Sequence, residues 1–541
     1  MTAGRFDAAD HARRMREGGF WRETPYDDCL VQTLEVSPDK AALVAYRADR
    51  EQPRRFSYRE YGDLVARCAA ALQGLGVGSG DIVAVQLPNW WEFVVVSLAA
   101  NRIGAVVNPL MPIFREREMG YMLGFAEAKV LVVPKLFRGF DHAAMADALK
   151  ADCPKLQHVI VVDGEGDDSF ERALLSGSAR VEPTPLRPLL DPGAMAVVMF
   201  TSGTTGSPKG VMHTTNTLLA CNRSLAGRFG LVADDVLLAC SPLGHMTGYA
   251  AMMMLGISLG ATIVLQDVWE ARRGVDIMGN EGVTFTAAST PFLADIVETV
   301  AAGAPRPPQL RNFLCAGAPI PPVLIERAAR ELGLKVCSLW GMTESLSSTL
   351  TEPERALEKS SKTDGRALEG VGVKVVDSDG QPLPVGQTGR LLVRGAQMFL
   401  GYYKRSDIET FDAEGWFDSG DLAYADDEGY IRINGRTKDV LIRGGENVPV
   451  VEIEALLYKH PAVVGAALVG FPDPRLGERG CAFVVLRPGM GLTLADVQAW
   501  MGECKVAKQY WPERVEILDD LPRTASGKVQ KFRLREIIAS G

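Results

Sequence analysis

The chain has 541 residues, 47% hydrophobic and 23% charged, a balance that excludes a disordered or fibrous protein. By length alone it has room for about three or four domains and a cleft between them. Its net charge of -9 offers no basic field to a polyphosphate backbone, so nucleic acid is not an expected partner and any anionic ligand must be met by local groups.

Read from the N-terminus, the first twenty residues carry Arg5, Asp7, Asp10, Arg13, Arg14, Arg16 and Glu17 and lack the apolar core of a signal peptide. The nine cysteines are odd in number and never at C-x-x-C spacing, which argues against a disulfide framework or a zinc site and for a reducing, cytoplasmic compartment. Ser57 opens a periodic stretch, 58–75, that predicts a helix closed near Gly76. Short β-rich runs at 82–87, 130–133, 159–162, 197–200, 236–239, 262–265, 313–315 and 336–339 alternate with helical patterns, the signature of parallel α/β layers. The uncharged stretch 247–265 matches a membrane span in length, but its glycines and its β-branched end predict a buried helix, turn and strand instead. Pro321-Pro322 marks the entry of a further helix at 322–331. From about Gly365 strands at 373–377, 390–393 and 430–433 are closed by Gly and Asp turns, which predicts a small antiparallel or barrel-like unit. The charged segment around Lys438 marks a domain boundary, giving domains 1–437 and 438–541.

The segment Thr201-Ser202-Gly203-Thr204-Thr205-Gly206-Ser207-Pro208-Lys209-Gly210 follows a buried strand. Its glycines let successive N–H groups converge on an anion, its hydroxyls add donors and Lys209 adds charge, which together describe a pyrophosphate cradle. It is not a Walker A loop, because Lys209 lies between Pro208 and Gly210. The bland alternative is a hydroxyl-rich surface loop.

This segment resembles the phosphate loop of the adenylate-forming superfamily of acyl-CoA synthetases, adenylation domains and luciferases. Further motifs stand in that family's order: Pro242-Leu243-Gly244-His245, Gly317-Ala318-Pro319, Trp340-Gly341-Met342-Thr343-Glu344, Trp416-Phe417-Asp418-Ser419-Gly420-Asp421, Gly435-Arg436-Thr437-Lys438-Asp439, Gly444-Gly445-Glu446-Asn447 and the run from Pro522 to Lys528. The resemblance covers nearly the whole chain. It implies an α/β fold: a large N-terminal domain of two α/β subdomains plus a small β-unit, followed by a smaller, mobile α+β C-terminal domain.

Several roles follow from the resemblance. Asp421 would accept the ribose hydroxyls of a nucleotide, although a solvated turn aspartate is the plain alternative. Glu344 beside Thr343 would offer a hard oxygen to Mg2+ and a hydroxyl to the α-phosphate. Trp340, where the family commonly has tyrosine, would stack on adenine, with a core tryptophan as the alternative. Gly317, Ala318, Pro319 and Gly341 would leave room for the nucleotide, and Arg436, Gly444 and Gly445 would join its site. His245 would gate the acid, with Met246, Tyr249, Leu339 and Gly341 around it; His213 is read as structural. Lys528 would neutralise charge developing at the α-phosphate, and Lys438 would be the hinge on which the C-terminal domain swaps the Lys528 and Gly444 loops.

The implied reaction is a ligase's: ATP and a small-molecule carboxylic acid give an acyl-adenylate, then coenzyme A displaces AMP. Residues 244–248 contain no acidic side chain to pair with an ammonium, which favours an apolar medium-chain, alicyclic or aromatic acid over an amino acid. The alternatives are loading of a carrier-protein phosphopantetheine, a luciferase-like oxygenase, and a binding protein without catalysis. A lysine acetyltransferase and deacetylase acting on Lys528 are the expected regulatory partners.

Overall fold

The computed structural model describes residues 6–176, 191–201, 208–317, 320–436, 441–443, 446–523 and 529–540. Among these, short apolar runs form two mainly parallel sheets. One has six strands in the order Lys209–Thr214, Met195–Thr201, Val106–Pro109, Ile82–Val85, Val130–Pro134, His158–Val162, and of these only Lys209–Thr214 is antiparallel to its neighbour. The other has nine, with Lys335–Met342, Asn312–Ala316, Phe285–Ala288, Val236–Ala239, Thr262–Gln266 and Ala41–Tyr46 side by side and parallel. Every residue of Val130–Pro134 and of Phe285–Ala288 is buried, which is why these strands read as unbroken apolar runs rather than as alternation.

The largest core packs helices Tyr58–Gly74 and Trp91–Arg102 between strands of both sheets. The first helix starts where the sequence predicts: Ser57 accepts from the Glu60 N–H while the Glu60 carboxylate accepts from the Ser57 N–H, a capping box. Trp91–Arg102 is buried along almost its whole length, as expected of a helix apolar on all sides. The uncharged stretch resolves into a buried helical segment that includes a π-helical turn, Tyr249–Met254, then Gly260 at φ +65 and the strand Thr262–Gln266. No helix among the described residues is long and apolar enough to cross a membrane.

The small β-unit is antiparallel: Val371–Val376, Gly389–Gly395, Phe417–Ala425 and Ile431–Arg436. The third of these strands was hidden in the sequence, where Asp418-Ser419-Gly420-Asp421 reads as a turn. A second, separate sheet follows, built on the long pair Val463–Asp473 and Gly477–Leu486, with helices Val450–Tyr458 and Lys531–Ser540 against it. The architecture is thus two α/β subdomains, a β-unit and a smaller α+β domain. All nine cysteines are unpaired.

One buried histidine couples this fold to pH. His142 is 0% exposed, its Nδ1 lies 3.2 Å from Gln86 Oε1, and burial holds its pKa down to about 4. The neutral ring is therefore the folded form. Its contribution is fully present above about 6.5, the unfolded value, and is lost as pH falls through about 4. In thermal melts the wild type should lose roughly 2 kcal/mol more than His142→Asn between pH 6.5 and 4.5, because the amide keeps a donor for Gln86 but does not titrate.

Candidate active site

Ligands of open α/β sheets bind beyond the carboxyl ends of the parallel strands, and Thr201, His245, Gly317, Thr343 and Glu344 lie at or just beyond such ends. Thr201 ends one strand and Lys209 begins its antiparallel neighbour directly opposite. The residues between them, Ser202, Gly203, Thr204, Thr205, Gly206 and Ser207, lie outside the described residues. So do Ala318, Pro319, Lys438, Gly444, Gly445 and Lys528.

Around Lys209 three elements converge. Residues 400–403 run along the outer edge of Lys209–Thr214, with Leu400 N–H donating to Met212 O at 2.8 Å and Tyr403 N–H to Gly210 O at 2.7 Å. This sets the Tyr402 ring 4.7 Å from the Lys209 ammonium and lets its hydroxyl donate to Glu344 Oε1 at 2.9 Å. Glu344 is 7% exposed. Burial pushes its pKa up, against the pull of the Tyr402 hydroxyl and the positive charges of Arg436 and Lys209.

Asp421 forms the second centre. It lies within a strand, 4% exposed, and not on a solvated turn. Trp340 Nε1 donates to its Oδ2 at 2.8 Å and Arg436 Nε to its Oδ1 at 2.7 Å. Trp340 is thereby a core residue of the β-unit that also positions a carboxylate. An ionised carboxylate accepts about four hydrogen bonds, so Asp421 keeps capacity for two further donors.

The glycines are required by space or by backbone. A Cβ on Gly341 would lie 1.9 Å from the Leu346 carbonyl oxygen, and Gly317 has φ +87, where side chains are strained. His245 is half-buried and caps the turn Met246–Gly248 through its Nδ1, which accepts from the Thr247 N–H at 3.2 Å. Leu339 is half-buried at the end of its strand, and Met246 is buried. Tyr249 is fully buried, edge-on to Phe93, and among the described residues its hydroxyl has no hydrogen-bond partner.

Two residues that matter to this geometry, Asn89 and Tyr402, were missed in the sequence. Asn89 donates to Ala239 O at 3.0 Å and Ser241 O at 2.9 Å and accepts from Leu243 N–H at 2.8 Å, so it holds the loop that carries His245. Tyr402 belongs to no motif. His213, read as structural, places Nε2 2.7 Å from the Thr343 carbonyl oxygen and so joins the strand after Lys209 to the Thr343-Glu344 turn. Strand alternation holds the signal: Lys209, Val211 and His213 share one face.

Residues 30–403 match the model of the AMP-binding enzyme family and residues 452–528 that of the AMP-binding enzyme C-terminal domain. The chain belongs to the AMP-binding enzyme family. It is similar to a medium-chain fatty-acid–CoA ligase of Escherichia coli, with 36% identity over 97% of this chain and 92% of that one. It is also similar to a salicyl-AMP ligase/salicyl-S-ArCP synthetase of Mycobacterium tuberculosis, with 34% identity over 97% and 92%. Among solved structures, the anthranilate CoA ligase AuaEII in complex with anthranoyl-AMP superposes with a TM-score of 0.84 at 25% identity, over 96% of this chain and 98% of that one. By class, then, this family member is an AMP-forming acyl-CoA synthetase.

The Trp340–Asp421 contact yields a prediction. Trp340→Phe keeps an aromatic body but removes the donor, worth about 1.5–3 kcal/mol to a charged acceptor. The apparent KM for ATP should rise about tenfold with a smaller change in kcat, measured by initial rates over a range of ATP.

Proposed function

We propose that this ligase activates an apolar monocarboxylic acid, medium-chain, alicyclic or aromatic, and transfers it to coenzyme A. The observation that carries the reading is the meeting of Lys209 from the six-stranded sheet, Glu344 from the turn after Lys335–Met342, and Asp421 and Arg436 from the β-unit, two cations and two buried carboxylates in a protein of net charge -9. That is a local answer to a polyphosphate and a ribose.

In the first step a carboxylate oxygen attacks the α-phosphorus of ATP, the bond to the bridging oxygen breaks, and pyrophosphate leaves. Lys209 and the hydroxyls from Thr201 to Thr205 hold the phosphates, and Asp421 takes the two ribose hydroxyls on its remaining lone pairs. Thr343 donates to the α-phosphate, and Lys528 supplies positive charge as the new bond forms. Glu344 would hold Mg2+, which supplies charge neutralisation at the phosphates. One buried carboxylate suits that role, because Mg2+ takes most of its ligands from water and substrate, and among the described residues no cluster of three His, Cys, Asp or Glu side chains could cage a metal.

In the second step the thiol sulfur attacks the acyl carbonyl and AMP leaves with the electron pair of the acyl–oxygen bond. The two steps need different groups at one carbonyl, so we place the hinge at Lys438, between domains 1–437 and 438–541. Strand Ile431–Arg436 belongs to the β-unit and Leu441–Arg443 to the C-terminal sheet, which supports a boundary there. The acid is assigned an apolar body because the chain beyond His245 is Met246, Tyr249 and the buried Met252, Met253 and Met254, with no carboxylate to pair an ammonium.

ATP–pyrophosphate exchange over a panel of acids tests the first step. Medium-chain, alicyclic or aromatic acids should drive it and α-amino acids should not, since an unpaired ammonium in an apolar pocket costs several kcal/mol. A thiol panel tests the second: CoA should accept the acyl group, whereas transfer only to a carrier-protein phosphopantetheine would move this ligase to the role named for its Mycobacterium relative.

The half-reactions also separate. Lys528→Ala should lose at least about a hundredfold in exchange yet still convert supplied acyl-adenylate and CoA to thioester, because one positioned donor at developing charge is worth about 3 kcal/mol. Equal loss in both would remove Lys528 from the first step.

A further inference from the structure

Away from these residues, a cavity of about 330 Å³ opens between the hairpin of Ala41–Tyr46 and Arg54–Ser57 and the first turn of helix Trp91–Arg102. Trp91 and Glu92 form its inner wall and Arg47, Arg50 and Arg54 stand around it. Glu92 is 2% exposed, yet its Oε2 has no hydrogen-bond partner. A buried polar oxygen without a partner is costly to keep, and it leaves Glu92 an unused hydrogen-bonding position at the cavity wall. Burial pushes the Glu92 carboxyl up to about 8, so at neutral pH it carries a proton and is a donor.

The arginines divide into two that are paired, one of them at long distances, and one that is not. Arg47 forks onto Asp49 with two bonds of 3.0 Å, pairs with Asp163 and lies 3.6 Å over the Trp90 ring. Arg50 reaches Asp163 only at 3.5 Å and Asp49 at 3.9 Å. Arg54 lies 4.8 Å over the Trp91 ring and has no ion pair among the described residues. The cavity is lined by three guanidinium groups against the carboxylates of Asp163 and Glu171 and the protonated Glu92, and Arg54 is the guanidinium left without an ion pair among the described residues. The balance favours an anion. Guanidinium groups beside a protonated carboxyl match an anion with several acceptor oxygens, such as a phosphate.

We propose that the cavity walled by Trp91 and Glu92 is a second anion site that takes the phosphate monoester of a small metabolite, apart from the nucleotide site. Its volume leaves space for an organic group beside the phosphate. It also adjoins the acid site through one short backbone segment, because Asn89, which holds residues 239–243, precedes Trp90 and Trp91.

Isothermal titration of the full chain with sulfate tests this, since sulfate keeps its charge from pH 7 to pH 9. Arg50→Ala and Arg54→Ala should each weaken sulfate at least tenfold, while Lys209→Ala leaves the binding event in place. Wild-type affinity should fall as pH rises through about 8, and Glu92→Gln, which keeps a donor but does not ionise, should bind as wild type at pH 7 and lose that fall. The other charged groups facing Glu92 are Arg47, Arg50, Arg54, Asp163 and Glu171. Glycerol 3-phosphate should displace the sulfate. Binding that disappears in Lys209→Ala and survives in Arg54→Ala, a pH response unchanged in Glu92→Gln, or no displacement by glycerol 3-phosphate would each overturn the proposal.

Discussion

The arrangement rests on one carboxylate. Asp421 lies in the β-unit and is gripped from the nine-stranded sheet by Trp340 Nε1 at 2.8 Å and from its own sheet by Arg436 Nε at 2.7 Å. Asp421 and Arg436 face each other in the strand register, and Trp340 is 81 residues away in sequence. This contact ties the β-unit to Lys335–Met342, the strand that leads into Thr343 and Glu344. A buried carboxylate is expensive unless hydrogen-bonded and charge-compensated, and here both conditions are met by groups that also fix the relative position of two sheets.

The second constraint is a run of backbone pairing. Residues 400–403 extend the edge of Lys209–Thr214, and the same segment sends Phe399 N–H to Glu344 O at 2.9 Å. Lys209, Tyr402 and Glu344 are therefore positioned by main-chain hydrogen bonds rather than by their own flexible side chains. His213 closes the circuit at Thr343. Rigid placement of charge before a ligand arrives is what electrostatic stabilisation of a transition state requires.

Much of this was legible in sequence. The parallel layers came from β-branched runs, the helix at Tyr58–Gly74 from its capping residue, and the buried character of 247–265 from its glycines. Of the motif positions that the structure describes, Thr201, Lys209, Thr343 and Glu344 lie at strand ends or in a turn, whereas Asp421 lies within a strand. What was not legible depends on partners distant in the chain. A tryptophan in a core and a tryptophan holding Asp421 have the same local sequence. Strand Phe417–Ala425 is polar enough to read as a turn and becomes a strand because it is paired on both sides. Tyr402 and Asn89 act through contacts with backbone and side chains that no periodicity announces.

The central claim is that the carboxylate itself attacks the α-phosphorus. Turnover of an accepted acid labelled with oxygen-18 in its carboxyl group, with the released AMP and pyrophosphate read by mass spectrometry, tests it directly. The account predicts one labelled oxygen in the phosphate of AMP and none in pyrophosphate. Unlabelled AMP, or label in pyrophosphate, would contradict it.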